Sequence, residues 1–138
     1  MKTAAKPSLE KELKEIHLET LDWKSSLQFI KGEIHFINQL LNAYVFEPNT
    51  PNLFERLQEY KEQITIAEKE IQNINQSIRK HESVLGGMLE FDFISYDHSY
   101  YQEHELMKIT FDDFFKNFRK LKANIFNYTG NILKKKKK

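Results

Sequence analysis

A run of apolar positions spaced alternately four and three residues apart constrains this chain more than any other feature. From Leu9 it passes through Leu13, Ile16, Thr20, Trp23, Leu27, Ile30, Ile34, Ile37 and Leu41 to Tyr44, and only Thr20 is neither apolar nor aromatic. Such alternation averages 3.5 residues, the period that keeps one stripe of an α-helix turned toward a partner helix. The run contains no proline, and its single glycine, Gly32, falls off the stripe. At ~1.5 Å per residue such a helix reaches roughly 50 Å, and an apolar seam that long must be covered.

Two further seams supply the cover. Glu47-Pro48-Asn49-Thr50-Pro51 breaks the first helix, with Thr50 as the expected cap of the next and Pro51 at its first position. The second seam reads Leu53, Leu57, Tyr60, Ile64, Ala67, Ile71, Ile74, Ile78, His81, Leu85, and Gly86-Gly87 is its expected end. The third, counted back from the C-terminus, reads Ile125, Leu121, Phe118, Phe114, Phe111, Met107, His104, Tyr100, Asp97, Phe93. Ser99 with Gln102 reads as a capping box, yet the unbroken phase places the start of this helix between Leu89 and Ser95. Gly130 is its expected terminator, with Ile132 and Leu133 folding back before the lysines.

The expected fold is therefore all-α: an antiparallel three-helix bundle with long coiled-coil-like helices at about 8–46, 50–85 and 90–129. A disordered lead-in at 1–7 precedes it and a basic tail at 131–138 follows. The three helices share no motif beyond the seam phase, which excludes a repeat array.

At 138 residues the chain can bury a core without staples. The absence of cysteine excludes disulfides and thiolate zinc sites and makes a reducing cytoplasm the expected location. The polar start carries no secretory h-region, and no apolar run reaches membrane-spanning length. The net charge of +1 conceals an uneven distribution, since Lys134, Lys135, Lys136, Lys137 and Lys138 supply five of the 21 basic residues against 20 acids. From Glu82 to Asp113 eight acids face one lysine, Lys108, whereas from Phe114 onward there are nine bases and no acid. Such a gradient suits a helix macrodipole and also suits antiparallel pairing with a second copy.

Signs of catalysis are missing. None of the five histidines follows an acid by three residues or pairs with another at i, i+4, so di-iron and HExxH patterns are excluded. There is no Gly-x-Ser-x-Gly element and no phosphate loop. What stands out is polar residues on the seams. Thr20, His81, Asp97 and His104 are expected to form a polar layer across one end of the bundle, fixing register by hydrogen bonds.

Beside the seams, Leu18, Phe29, Phe36 and Leu40 of the first helix and Leu106, Ile109, Phe115 and Phe126 of the third widen the apolar stripe beyond what two neighbours need. They are the candidate interface. These features together point to a non-enzymatic interaction or scaffold module without cofactor, partnered by itself as a homodimer or by another helical protein. One alternative is a small metal- or ligand-binding bundle using the His/Asp layer. Another is an accessory factor held at nucleic acid or an anionic membrane by its lysine tail, although the domain has no dedicated nucleic-acid site.

Overall fold

The computed structural model describes residues 2–90 and 98–135, which form three helices: α1 (Lys2–Leu41), α2 (Leu53–Glu90) and α3 (His98–Asn131). The rods alternate in direction, so α1 and α3 run parallel: Glu19 meets His104, Glu33 meets Lys122 and Phe36 meets Phe126. Among the described residues there is no strand, only one isolated antiparallel bridge between Phe46 and Leu133.

Burial follows the 3.5-residue seams. Leu13 through Leu41 are buried at every seam position of α1, and all ten seam positions of α2 are buried. In α3, Tyr100, His104, Phe111, Phe114, Phe118 and Ile125 are buried, and the rhythm continues one step further to Thr129. The side chains divide into two apolar clusters. The larger runs from Trp23 and Ile78 to Phe46 and Ile125, and a small satellite holds Leu13, Ile16, Leu85 and Tyr100, with Met88 and Tyr101 against it.

Five boundaries differ from expectation. The lead-in expected at 1–7 is helical from Lys2, so position 8, where the first helix was expected to open, lies inside α1. At its other end α1 stops at Leu41, where Asn42 N–H donates to the Asn38 carbonyl and Ala43 N–H to that of Leu40, a tightening last turn. Tyr44 is therefore off the helix and 93 % exposed, although the spacing put it on the seam.

Thr50 does not cap α2, because its hydroxyl donates back to the Glu47 carbonyl at 2.6 Å. Asn52 takes the left-handed conformation, at φ 57°, and its carbonyl receives the Arg56 N–H, so the helix begins behind an asparagine suited to that geometry. Gly86 and Gly87 do not end α2. Neither has a positive φ, and Met88 gives the turn beyond them an apolar contact on the satellite cluster. The third helix starts at His98, later than Leu89–Ser95, and Phe93 and Asp97 lie outside the described residues.

The fold-back of Ile132 and Leu133 is present. Glu47 N–H donates to the Ile132 carbonyl at 2.7 Å and Lys134 N–H to that of Val45 at 2.8 Å, tying the chain's end to the α1–α2 connection. Ile132 packs on the larger cluster, which also holds Phe46. The tail's first two lysines are thus engaged: Lys134 Nζ reaches the Tyr44 carbonyl, and Lys135 N–H reaches Glu47. Lys136, Lys137 and Lys138 lie outside the described residues.

Candidate functional site: a buried histidine pair

The seams of α2 and α3 each carry one histidine, and the antiparallel register sets the two face to face. His81 is 1 % exposed and His104 is 3 % exposed, and His81 Nε2 lies 3.0 Å from His104 Nδ1. His104 continues the chain, with its Nε2 only 2.7 Å from Glu19 Oε1 on α1. The second oxygen of Glu19 meets Lys108 Nζ at 3.4 Å. At the other end, His81 Nδ1 makes no hydrogen bond among the described residues, and Glu103 Oε1 stands 3.5 Å away. One chain of polar atoms therefore crosses the bundle and touches all three helices.

Aromatic rings close this layer above and below. Tyr100 stacks on His81 with centroids 4.3 Å apart and planes at 9°, and Trp23, the single tryptophan, stacks on His104 at 4.8 Å. Tyr100 belongs to the satellite cluster and Trp23 to the larger one, so the histidines occupy the seam between the two cores.

The environment sets the protonation. Burial holds His81 below the usual histidine range; positive charge on His104 pushes the same way, and Glu103 and Glu82 oppose it. The hydrogen bond from His104 holds the Glu19 carboxyl below the usual range against partial burial, and the charges of Lys108 and His104 help. Burial lifts the Tyr100 phenol to about 12. Glu19 is thus a carboxylate at neutral pH, and it requires an N–H on the nitrogen facing it.

Of the four residues expected in the polar layer, the structure brings together His81 and His104. Thr20 is 2 % exposed, but its hydroxyl donates within α1 to the Ile16 carbonyl at 2.8 Å. Asp97 lies outside the described residues. Glu19, Glu103, Trp23 and Tyr100 complete the site without having been singled out from the sequence for it. A signal existed: Thr20, His81 and His104 each have an acid as chain neighbour, in Glu19-Thr20, His81-Glu82 and Glu103-His104.

The pair has the geometry of a hydrogen bond. The 3.0 Å between the facing nitrogens is hydrogen-bond distance, with donor and acceptor set by the tautomers. Among the described residues no group of three or more His, Cys, Asp or Glu is arranged to hold a metal ion. His17 and His35 are exposed on α1, apart from the pair.

The eight interface candidates separate. Phe29, Phe36 and Phe126 gather around Gly32 on the α1–α3 face, and Phe36 meets Phe126 edge-on at 6.2 Å. Leu18 lines a second groove between the same helices, with Tyr101, Glu12, Glu15, Glu105 and Lys108. Leu106 instead faces the α2–α3 groove beside Ile74 and Met107, and Ile109 is exposed. Leu40 and Phe115 do not widen the surface. Both are partly buried against the core, and the Arg119 guanidinium lies 5.0 Å over the Phe115 ring. No helix among the described residues is long and apolar enough to cross a membrane. Compared with protein-family models, curated proteins and solved structures, the chain matches none.

Proposed function

We propose that this chain is a non-enzymatic helical interaction module of the cytoplasm that pairs with a second copy of itself through its α1–α3 face. One observation carries the reading. Phe29, Phe36 and Phe126 remain 68 %, 55 % and 40 % exposed although they lie together, and a Cβ added to Gly32 between them would meet nothing. Grouped apolar side chains of this size on a polar rod are the usual mark of a docking surface.

The charge pattern selects a second copy as the occupant. Toward the N-terminal ends of α1 and α3 this face carries Glu12, Glu15 and Glu105. Beyond Phe114, the bases of α3 are Lys116, Arg119, Lys120 and Lys122, with no acid among them. Trp23 stands level with Phe111 and Phe36 with Phe126, so Phe29 stands near the middle of α3. A two-fold axis crossing the face there sets unlike ends against each other and lays Phe36 and Phe126 toward the partner's Leu18 end. A rod about 50 Å long has room for the ~800 Å² per partner of an ordinary interface.

Sedimentation velocity across micromolar concentrations tests this. A dimer that dissociates on Phe36→Glu and weakens with added salt is expected. A wild-type chain that stays monomeric throughout the range would overturn the reading.

A further inference from the structure

We propose that His81 and His104 form an acid-opened clasp: the closed bundle binds one proton on the pair, and a second proton parts the rings and releases the α3 end. This stands independently of self-association.

The count follows from the atoms. Glu19 Oε1, at 2.7 Å, needs an N–H on His104 Nε2. The 3.0 Å contact between the rings holds one proton between them. With both imidazoles neutral, those two protons are all there are. His104 Nδ1 then accepts from His81 Nε2–H, and His81 Nδ1 is left as a lone pair. That lone pair looks toward the Glu103 carboxylate at 3.5 Å, acceptor against acceptor.

A single added proton removes the mismatch. It gives His81 Nδ1 an N–H, and Glu103, whose side chain is 54 % exposed, can close on it from the surface of α3. Every ring nitrogen then has a partner, and the charge belongs to the pair, not to either ring. A second proton has no such place. Both facing nitrogens would carry N–H groups across 3.0 Å, and two cations would lie between the Tyr100 and Trp23 rings. The rings must separate.

The charged groups around the pair come from all three helices. Glu19 faces it from α1, and Glu82 from α2, itself paired with Lys24 at 3.2 Å. Glu103 faces it and the Tyr100 ring stacks on it from α3, and Lys108 reaches it through Glu19. None of these accepts a hydrogen bond from both rings at once, so none can shelter the second proton. Parting the rings breaks the direct hydrogen bond between α2 and α3 at this level, leaving His104 on Glu19 and His81 beside Glu103. Among the described residues, the apolar cover over the start of α3 is then the small satellite cluster.

The test is a histidine-ring and amide NMR titration of the full chain from pH 8 to pH 4, with Trp23 emission followed in parallel. At pH 8 both His81 and His104 are expected as Nε2–H tautomers. The first proton should arrive with amide protection intact along all helices. The second should coincide with loss of protection from Tyr100 to Lys108 while Phe111 to Ile125 stays protected. Glu103→Gln, whose amide can donate to the bare His81 Nδ1, should move the first step to lower pH and leave the neutral fold in place. An Nδ1–H tautomer of His81 at pH 8, double protonation with the start of α3 still protected, or an unmoved first step in Glu103→Gln would each overturn the clasp.

Discussion

Replacing the histidine pair by leucine, first singly and then together, separates what the pair contributes from what each ring needs. His81→Leu leaves His104 Nδ1 buried without a donor, because Nε2 is committed to Glu19. An orphaned buried acceptor costs about 1–3 kcal/mol. A chain of this length has an unfolding entropy of roughly 0.3 kcal/mol per degree, so a 2 kcal/mol loss lowers Tm by about 7 °C. His104→Leu orphans His81 Nε2 by the same reasoning and should lose about as much. The double replacement leaves neither orphan, and Glu19, partly exposed and paired with Lys108, keeps its charge satisfied. It joins the two apolar clusters, so its stability should lie near wild type or above it. A coupling of at least about 2 kcal/mol should therefore appear in the cycle. Acid adds a second signature. The native His81 resists the proton that the unfolded chain accepts near pH 6.5, so wild-type stability is full above that pH and falls below it. The slope approaches about 1.4 kcal/mol per pH unit for one proton, and it continues down to the native titration. The double variant should lose this slope relative to wild type. Chemical denaturation of the four proteins at pH 8, 7, 6 and 5 reads both effects. Additive losses, or wild-type and double-variant curves that stay parallel with pH, would refute the reasoning.

Two further outcomes test the fold. Ile34→Asp sets an unpaired carboxylate at a position 3 % exposed in mid-seam and should cost several kcal/mol, seen as loss of cooperative helical melting by circular dichroism. Melting like wild type would mean that the seam phase is wrong. Gly86→Ala and Gly87→Ala, at helical positions where an added Cβ meets nothing, should each raise stability by about 0.5–1 kcal/mol, and a lowered Tm would contradict the helical reading of this pair.

The seams were legible because burial in a bundle is a one-dimensional property of sequence. Ile30, Ile37, Ile64 and Ile125 fall at the predicted spacing and are fully buried. Helix ends were less legible, since they depend on contacts remote in sequence. Tyr44 keeps the phase but leaves it physically, because the chain after Leu41 turns to pair with Ile132 and Lys134. Gly86 and Gly87 are intrinsically poor in a helix, yet Met88 directly after them finds apolar contact and the helix continues. The histidine pair was half visible. His81 and His104 sit on seams, but the carboxylates that complete their chain lie one residue off, on flanks that periodicity reads as solvent. Leu40 and Phe115 fail as surface candidates for a related reason. A position beside the seam is covered wherever the neighbouring core reaches it, and both side chains pack against the larger cluster.

The two ends of the bundle are built differently, and the difference locates where it opens. At one end the chain's last described residues close over the α1–α2 connection: Phe46, Leu53 and Ile132 pack into the same large cluster, and two backbone hydrogen bonds clip 45–47 to 132–134. At the other end, among the described residues, Leu13, Ile16, Leu85 and Tyr100 are buried together beyond the histidines, with Met88 and Tyr101 against them. Those four buried side chains supply on the order of 6–12 kcal/mol of gross burial, against ~1–2 kcal/mol of backbone entropy for each residue they order. The polar tie through Glu19, His104 and His81 adds little net stability if it merely replaces hydrogen bonds to water, but it closes only in one register. It thus fixes how far α3 slides along α1 and α2, and the residues Tyr100 to Lys108 inherit its pH dependence. Local opening belongs at this end of the rod, away from the Phe29–Phe36–Phe126 face, which stays attached to the larger core.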